Sequence, residues 1–214
     1  MQKNTLKLSF GSCSGQKDRA LERLRLSLKK GHVYRREDLL TDSNAVDRHL
    51  KQLLDFGDVE KLAQGLYYVP KSSVFGRAPP KEKDLVTAFL KDRNFLLLSP
   101  NSYNSLGLGT TQLYNKTVVY NHKRHGVFKL GNRSFEFRMK PRFPKKLDKA
   151  FLLVDLLNNL DSLAENKSDV LAHAEQYLSQ LEVSQLQKTV STYGAEKTKK
   201  KILSWLNKRE DVSV

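Results

Sequence analysis

An α+β fold is predicted for this 214-residue sequence: an N-terminal winged helix-turn-helix, then a mixed α/β domain with a helical C-terminal tail. Three observations predict it. Amphipathic helical spacing over residues 16–56 runs directly into a hairpin pattern at 55–70. Strand-like alternation concentrates between 95 and 140. From 145 to 208 the apolar spacing is almost entirely helical. The domains read as a flexible tail at 1–15, a winged helix-turn-helix at 16–72, and an α+β domain at 73–214.

Residues 1–15 carry several Ser and Gly and few apolar anchors, hence the tail. In Q-K-D-R-A-L-E-R-L-R-L-S-L-K-K, residues 16–30, Ala20, Leu21, Leu24 and Leu28 share one helical stripe, and Gly31 ends it. V-Y-R-R-E-D-L-L reads as a short second helix, Tyr34 to Leu40, opened by Glu37 and Asp38. Ser43 is the expected N-cap of a third helix, 43–56, with Val46, Leu50, Leu53 and Leu54 inward and Gly57 as its stop. The hairpin V-E-K-L-A-Q-G-L-Y-Y-V follows, with one of Tyr67 and Tyr68 in the core. Three helices and a hairpin in this order are those of a winged helix-turn-helix, whose later helix enters the major groove.

K-S-S-V-F-G-R-A-P-P, residues 71–80, reads as a linker or tight crossing. A helix behind Pro80 uses Leu85, Val86, Phe89 and Leu90. The apolar run F-L-L-L gives way to a polar loop with Gly107 and Gly109. T-V-V-Y, G-V-F-K-L and S-F-E-F-R-M-K are strand-like, the last two forming a hairpin that turns at Gly131-Asn132. K-A-F-L-L-V-D-L-L-N-N-L is apolar enough to demand burial, and further helices are expected near 167–182 and 195–208.

Charge is uneven. Residues 1–75 hold 14 Lys/Arg and 9 Asp/Glu, residues 76–145 hold 14 and 4, and residues 146–214 hold 10 and 10, so +5, +10 and zero add to the net +15. Such a field attracts phosphate backbones and weakens with salt. No apolar run approaches the length of a membrane-spanning helix, and no secretory h-region is present. Cys13 is the single cysteine, so no intramolecular disulfide forms; a reducing, cytoplasmic location is expected, with Cys13 a tail thiol.

On the third helix, inward Val46, Leu50 and Leu53 leave Asn44, Asp47, Arg48 and Lys51 facing out. Ser43, Asn44 and Arg48 are the candidate base readers and Lys51 a phosphate contact. Asp47 opposes phosphate on this face unless it pairs with Lys51. Arg35 and Arg36, at the start of the second helix, suit a phosphate clamp, and Lys61 and Gln64 flank the hairpin turn. A secondary basic surface is expected from Lys123 and Arg124 in N-H-K-R-H-G and from Lys140, Arg142 and Lys145 in K-P-R-F-P-K-K. His122 and His125 lack third and fourth ligands, so no metal site is read there and no cofactor is expected. No G-x-S-x-G, no G-x-x-x-x-G-K and no paired carboxylates in a strand-rich segment are present, so the chain does not read as an enzyme.

Q-G-L-Y-Y-V-P and N-S-L-G-L-G-T-T-Q, in this order around a short Pro-containing crossing, resemble the AbiEi-like antitoxin family of bacterial toxin–antitoxin systems. The resemblance spans roughly residues 16–145. It implies a winged helix that binds operator DNA and represses its own operon, and a C-terminal domain that counters a nucleotidyltransferase toxin. Two alternatives stand beside it. The basic middle segment would serve an RNA-binding factor, with Phe128, Phe135 and Phe137 stacking bases if exposed. The winged helix would serve a stand-alone regulator, or a protein-docking module.

Overall fold

The computed structural model describes residues 14–212, apart from 75 and 111, and is an α+β protein. Of the tail expected at 1–15, residues 1–13, Cys13 among them, lie outside the described residues, and Ser14 and Gly15 instead open a helix. The chain divides into two compact units. One holds the residues through Lys91 together with Leu130–Asn132, and the other holds 92–129 and the residues from Arg133 onward. The first unit thus extends past residue 72, because the helix after Pro80 packs within it.

In the first unit α1 (Ser14–Ser27) buries Leu24 completely, with Leu21 and Leu28 beside it. α1 ends at Ser27, ahead of Gly31, and the Ser27 hydroxyl donates to the Leu24 carbonyl at 2.8 Å. The predicted second helix is mostly not helix. Val33–Arg35 is a strand, β1, and only Arg36–Leu39 coils, as a 3-10 turn. Val33 and Tyr34 are β-formers, and β1 finds a partner far along the chain in β3 (Leu66–Tyr68), pairing Val33 with Tyr68 and Arg35 with Leu66. α2 (Val46–Asp55) follows, burying Val46, Leu50 and Leu53. Gly57, at φ 72, supplies the left-handed residue that ends it. β2 (Glu60–Ala63) pairs antiparallel with β3, turning through Gln64-Gly65, where Gly65 holds φ 69 at no steric cost. The sheet order is β1-β3-β2. Tyr68 is the buried tyrosine, and Tyr67, on the opposite face of β3, packs against the cluster of Leu24, Leu50 and Val59.

The expected linker is instead a two-stranded antiparallel ribbon, β4 (Lys71–Ser73) with β5 (Gly76–Ala78). Its residues are almost all exposed, so no apolar alternation marks it in sequence; backbone pairing and the Tyr68 hydroxyl, bonded to the Ala78 carbonyl at 2.7 Å, hold it. α3 (Glu82–Leu90) then buries Leu85, Val86 and Leu90.

In the second unit β6 (Leu96–Leu98) pairs antiparallel with β7 (Thr117–Asn121), and between them Pro100–Leu106 forms a 3-10 segment. β8 (Gly126–Leu130) and β9 (Arg133–Met139) form the expected hairpin, and the sheet order is β6-β7-β9-β8. β9 therefore lies parallel to β7, with Thr117 beside Phe135 and Asn121 beside Met139. α4 (Lys149–Asn159) is buried along most of its length, capped by Asp148, whose carboxylate accepts from the Phe151 amide at 2.7 Å. α5 (Lys167–Tyr177), α6 (Val183–Tyr193) and α7 (Glu196–Val212) complete the unit. Its core joins Leu98, Tyr103, Phe151, Leu153, Leu186, Ile202 and Trp205. Inside that core Asp155 accepts from the hydroxyls of Tyr103 at 2.7 Å and Tyr120 at 2.8 Å. Among the described residues no helix is long and apolar enough to cross a membrane.

Candidate nucleic-acid interface

α2 is built by one apolar stripe and one polar face. Val46, Leu50 and Leu53 recur at helical spacing and bury, which turns Arg48 and Lys51 outward. Asn44 is exposed just before the helix, one turn from Arg48. These three are the base- and phosphate-facing candidates that the structure brings onto one surface. Lys61 and Gln64 are exposed on the β2–β3 hairpin.

Three other candidates have different work. Ser43 is 4% exposed, and its hydroxyl meets His49 Nδ1 at 2.7 Å while accepting from the Ala45 amide at 3.1 Å. It organises the turn into α2, whose N-cap is Ala45, and a buried hydroxyl does not read bases. Arg35 does not clamp phosphate. Its guanidinium pairs with Glu37 and donates from Nη1 to the Ala88 carbonyl at 2.8 Å, closing the C-terminal end of α3, where a cation is favoured. Arg36 grips Asp47 through Nε and Nη2, each at 2.6 Å. Asp47 therefore pairs with Arg36, not with Lys51. The hydrogen bond from Arg36 holds the Asp47 carboxyl below the usual carboxylate range. Asp47 also sits in the first turn of α2, where a negative charge suits the helix dipole.

His49 is the residue that sequence reading passed over. It lies on the buried stripe three positions after Val46, and that spacing is the only signal it gives. Its ring is 2% exposed and joins Ser43 to Arg48, whose Nη2 lies 3.3 Å from Nε2. Arginine has donors only, so Nε2 accepts and Nδ1 carries the proton toward Ser43. Burial, then the nearby Arg48 charge, pushes the imidazole pKa down, which keeps the ring neutral. The result is an exposed guanidinium tethered at one nitrogen, with its remaining donors available for a bidentate contact.

The second basic surface collects at one end of the second unit's sheet. Lys123 and Arg124 lie in the loop after β7, while Lys140, Arg142 and Lys145 follow β9. Parallel pairing puts both strand ends side by side, and the Lys140 amide donates to the Asn121 carbonyl at 3.0 Å. Lys123 pairs with Asp92 at 3.1 Å, and Lys140 lies over the Tyr120 ring at 5.4 Å. Arg124, Arg142 and Lys145 are exposed. His122 stacks on Phe143, centroids 4.7 Å apart. Phe135 and Phe137 are fully buried and stack no base. Among the described residues no three His, Cys, Asp or Glu side chains group as metal ligands.

Residues 19–181 match a family of unknown function, DUF6088, and the chain belongs to that family. The structure is similar to the crystal structure of the RV2827C protein from Mycobacterium tuberculosis, with a TM-score of 0.52 at 15% sequence identity. That match covers 81% of this chain and 70% of the other. The likeness is one of fold. No curated protein matches the chain.

Proposed function

We propose that the first unit is a winged helix-turn-helix that binds duplex DNA and that the chain is a non-catalytic transcription regulator. The observation that carries the reading is the exposed face of α2, with Asn44, Arg48 and Lys51 on a helix that lies between a 3-10 turn and an antiparallel hairpin. The β1-β3-β2 sheet order supports it, because that is how a winged helix braces its hairpin against the strand before its helix pair. Arg48 reads a base edge, Lys51 and Lys61 hold phosphates, and Asn44 and Gln64 hydrogen-bond at the margins. The step from DNA binding to an antitoxin rests on the sequence resemblance alone.

The test is fluorescence anisotropy with duplex from upstream of the chain's own gene beside a scrambled duplex, across a salt series. Arg48→Ala is expected to lose about 1–3 kcal/mol on the upstream duplex and little on the scrambled one. Lys51→Ala is expected to weaken both and to reduce the salt slope by about one. Equal loss on both duplexes for Arg48→Ala removes its reading role, and no binding to either at physiological salt removes the function.

A further inference from the structure

We infer that the adjoining ends of β7 and β9 form a second nucleic-acid site, one that takes a single strand by stacking a base on His122 and holding its phosphates with Arg142, Lys145 and Lys146. The inference is independent of the α2 reading, since it uses other residues in the other unit. Two basic segments separated in sequence become one surface because β9 runs parallel to β7, so both strands end at the same edge. Residues 122–146 hold nine Lys/Arg against the single acid Glu136, a net +8. Glu136 is itself engaged by Arg138 at 2.6 Å and Lys116 at 3.0 Å.

The loop is built, not loose. Asn121, 1% exposed, accepts at Oδ1 from the Lys123 amide at 2.8 Å and the Arg124 amide at 2.7 Å. Its Nδ2 donates to the Arg124 carbonyl at 2.9 Å. That buried amide fixes the loop on which His122 stands. His122 is exposed and lies nearly parallel to a half-buried Phe143, 26° between planes, so its imidazole is backed by an anchored ring. Two prolines bracket Arg142-Phe143, which keeps the segment extended and its cations displayed. Met139 is 55% exposed beside Lys140, an apolar contact that suits bases more than phosphates. Aromatic platforms interleaved with cations are how single strands are held, because splayed bases stack while the backbone is neutralised. A duplex keeps its bases stacked on one another and has no use for the platform.

The experiment is anisotropy of the full chain with labelled oligouridylate and oligothymidylate of about ten nucleotides, beside a duplex, at several salt concentrations. The combined Arg142→Glu, Lys145→Glu and Lys146→Glu variant is expected to lose at least tenfold in strand affinity. Its salt slope should flatten by about two, with duplex binding unchanged. His122→Ala is expected to lose about tenfold, and His122→Phe to restore binding, because the role is stacking. Arg48→Ala is expected to leave strand binding intact, which separates this site from α2. A preference for one sugar over the other names the source as RNA or an unpaired DNA strand. Strand binding unaffected by the triple variant, or strand and duplex weakened equally by it, overturns the site. His122→Phe behaving as His122→Ala overturns the stacking.

Discussion

His49 is a buried imidazole with two polar neighbours of fixed kind, a serine hydroxyl at Nδ1 and an arginine at Nε2. Protonation would turn Nε2 into a donor facing a donor, so burial and Arg48 both oppose it. A base whose pKa is lowered on folding contributes stability that is present above its unfolded value, about 6.5, and that is lost as pH falls toward the folded value. Stability is therefore expected to drop between pH 7 and 5.5. His49→Gln, which cannot titrate, should remove that slope, as urea midpoints at the two pH values would reveal. Over that window the ring of the folded chain stays neutral, so the Arg48 tether should hold, and cognate DNA affinity should follow pH alike in the native chain and in His49→Gln. Identical stability profiles for the two would mean that His49 does not titrate with folding.

At the scale of elements, what the sequence made legible was what carries its own periodicity. α2, α3 and the β8–β9 hairpin bury apolar residues at regular spacing and lie where that spacing indicates, while α4 was legible from an apolar run that buries seven residues in a row, 150–156. β1 was illegible because three residues are too few for a period, and its partner β3 is about 30 residues away. The β4–β5 ribbon buries too little to leave a pattern. On α2, exposure of Asn44, Arg48 and Lys51 followed from the apolar stripe, whereas the tasks of Ser43, Arg35 and Arg36 depend on His49, α3 and Asp47, contacts that helical spacing does not encode. The same holds for Asp155, which joins three elements: the 3-10 segment through Tyr103, β7 through Tyr120, and α4 itself. Burial raises its pKa, and the two phenolic hydrogen bonds only partly offset that. A carboxyl raised on folding contributes most below its unfolded value, about 3.9, and its contribution is lost as pH rises through the folded value. Asp155→Asn is therefore expected to flatten stability against pH above about 4. Asp155→Ala leaves two buried phenols without an acceptor and is expected to cost about 2–3 kcal/mol at neutral pH by urea denaturation. An unchanged pH slope in the Asn variant would show that the carboxyl folds with its ordinary pKa.

Across the whole molecule, each unit gathers its own apolar cluster. Leu24, Leu39, Val46, Leu50 and Leu53 belong to the first, and Leu153, Leu156, Leu186, Ile202 and Trp205 to the second. A unit with its own core has the means to fold by itself. The single tryptophan, Trp205, is 6% exposed in the second core, so its emission reports that core directly. Leu53 and Leu153 are both completely buried, and truncating either to alanine is expected to cost about 2–5 kcal/mol. Leu153→Ala should lower the denaturant midpoint seen by Trp205 emission. Leu53→Ala should leave that midpoint in place while lowering the midpoint for the first unit, followed by loss of duplex binding across the same titration. A tryptophan midpoint that falls equally in both variants would mean that the two cores melt as one cooperative body. Duplex binding and strand binding would then vanish together at one denaturant concentration, and separating the two surfaces by mutation would require exposed residues such as Arg48 and Lys145, whose replacement leaves both cores intact.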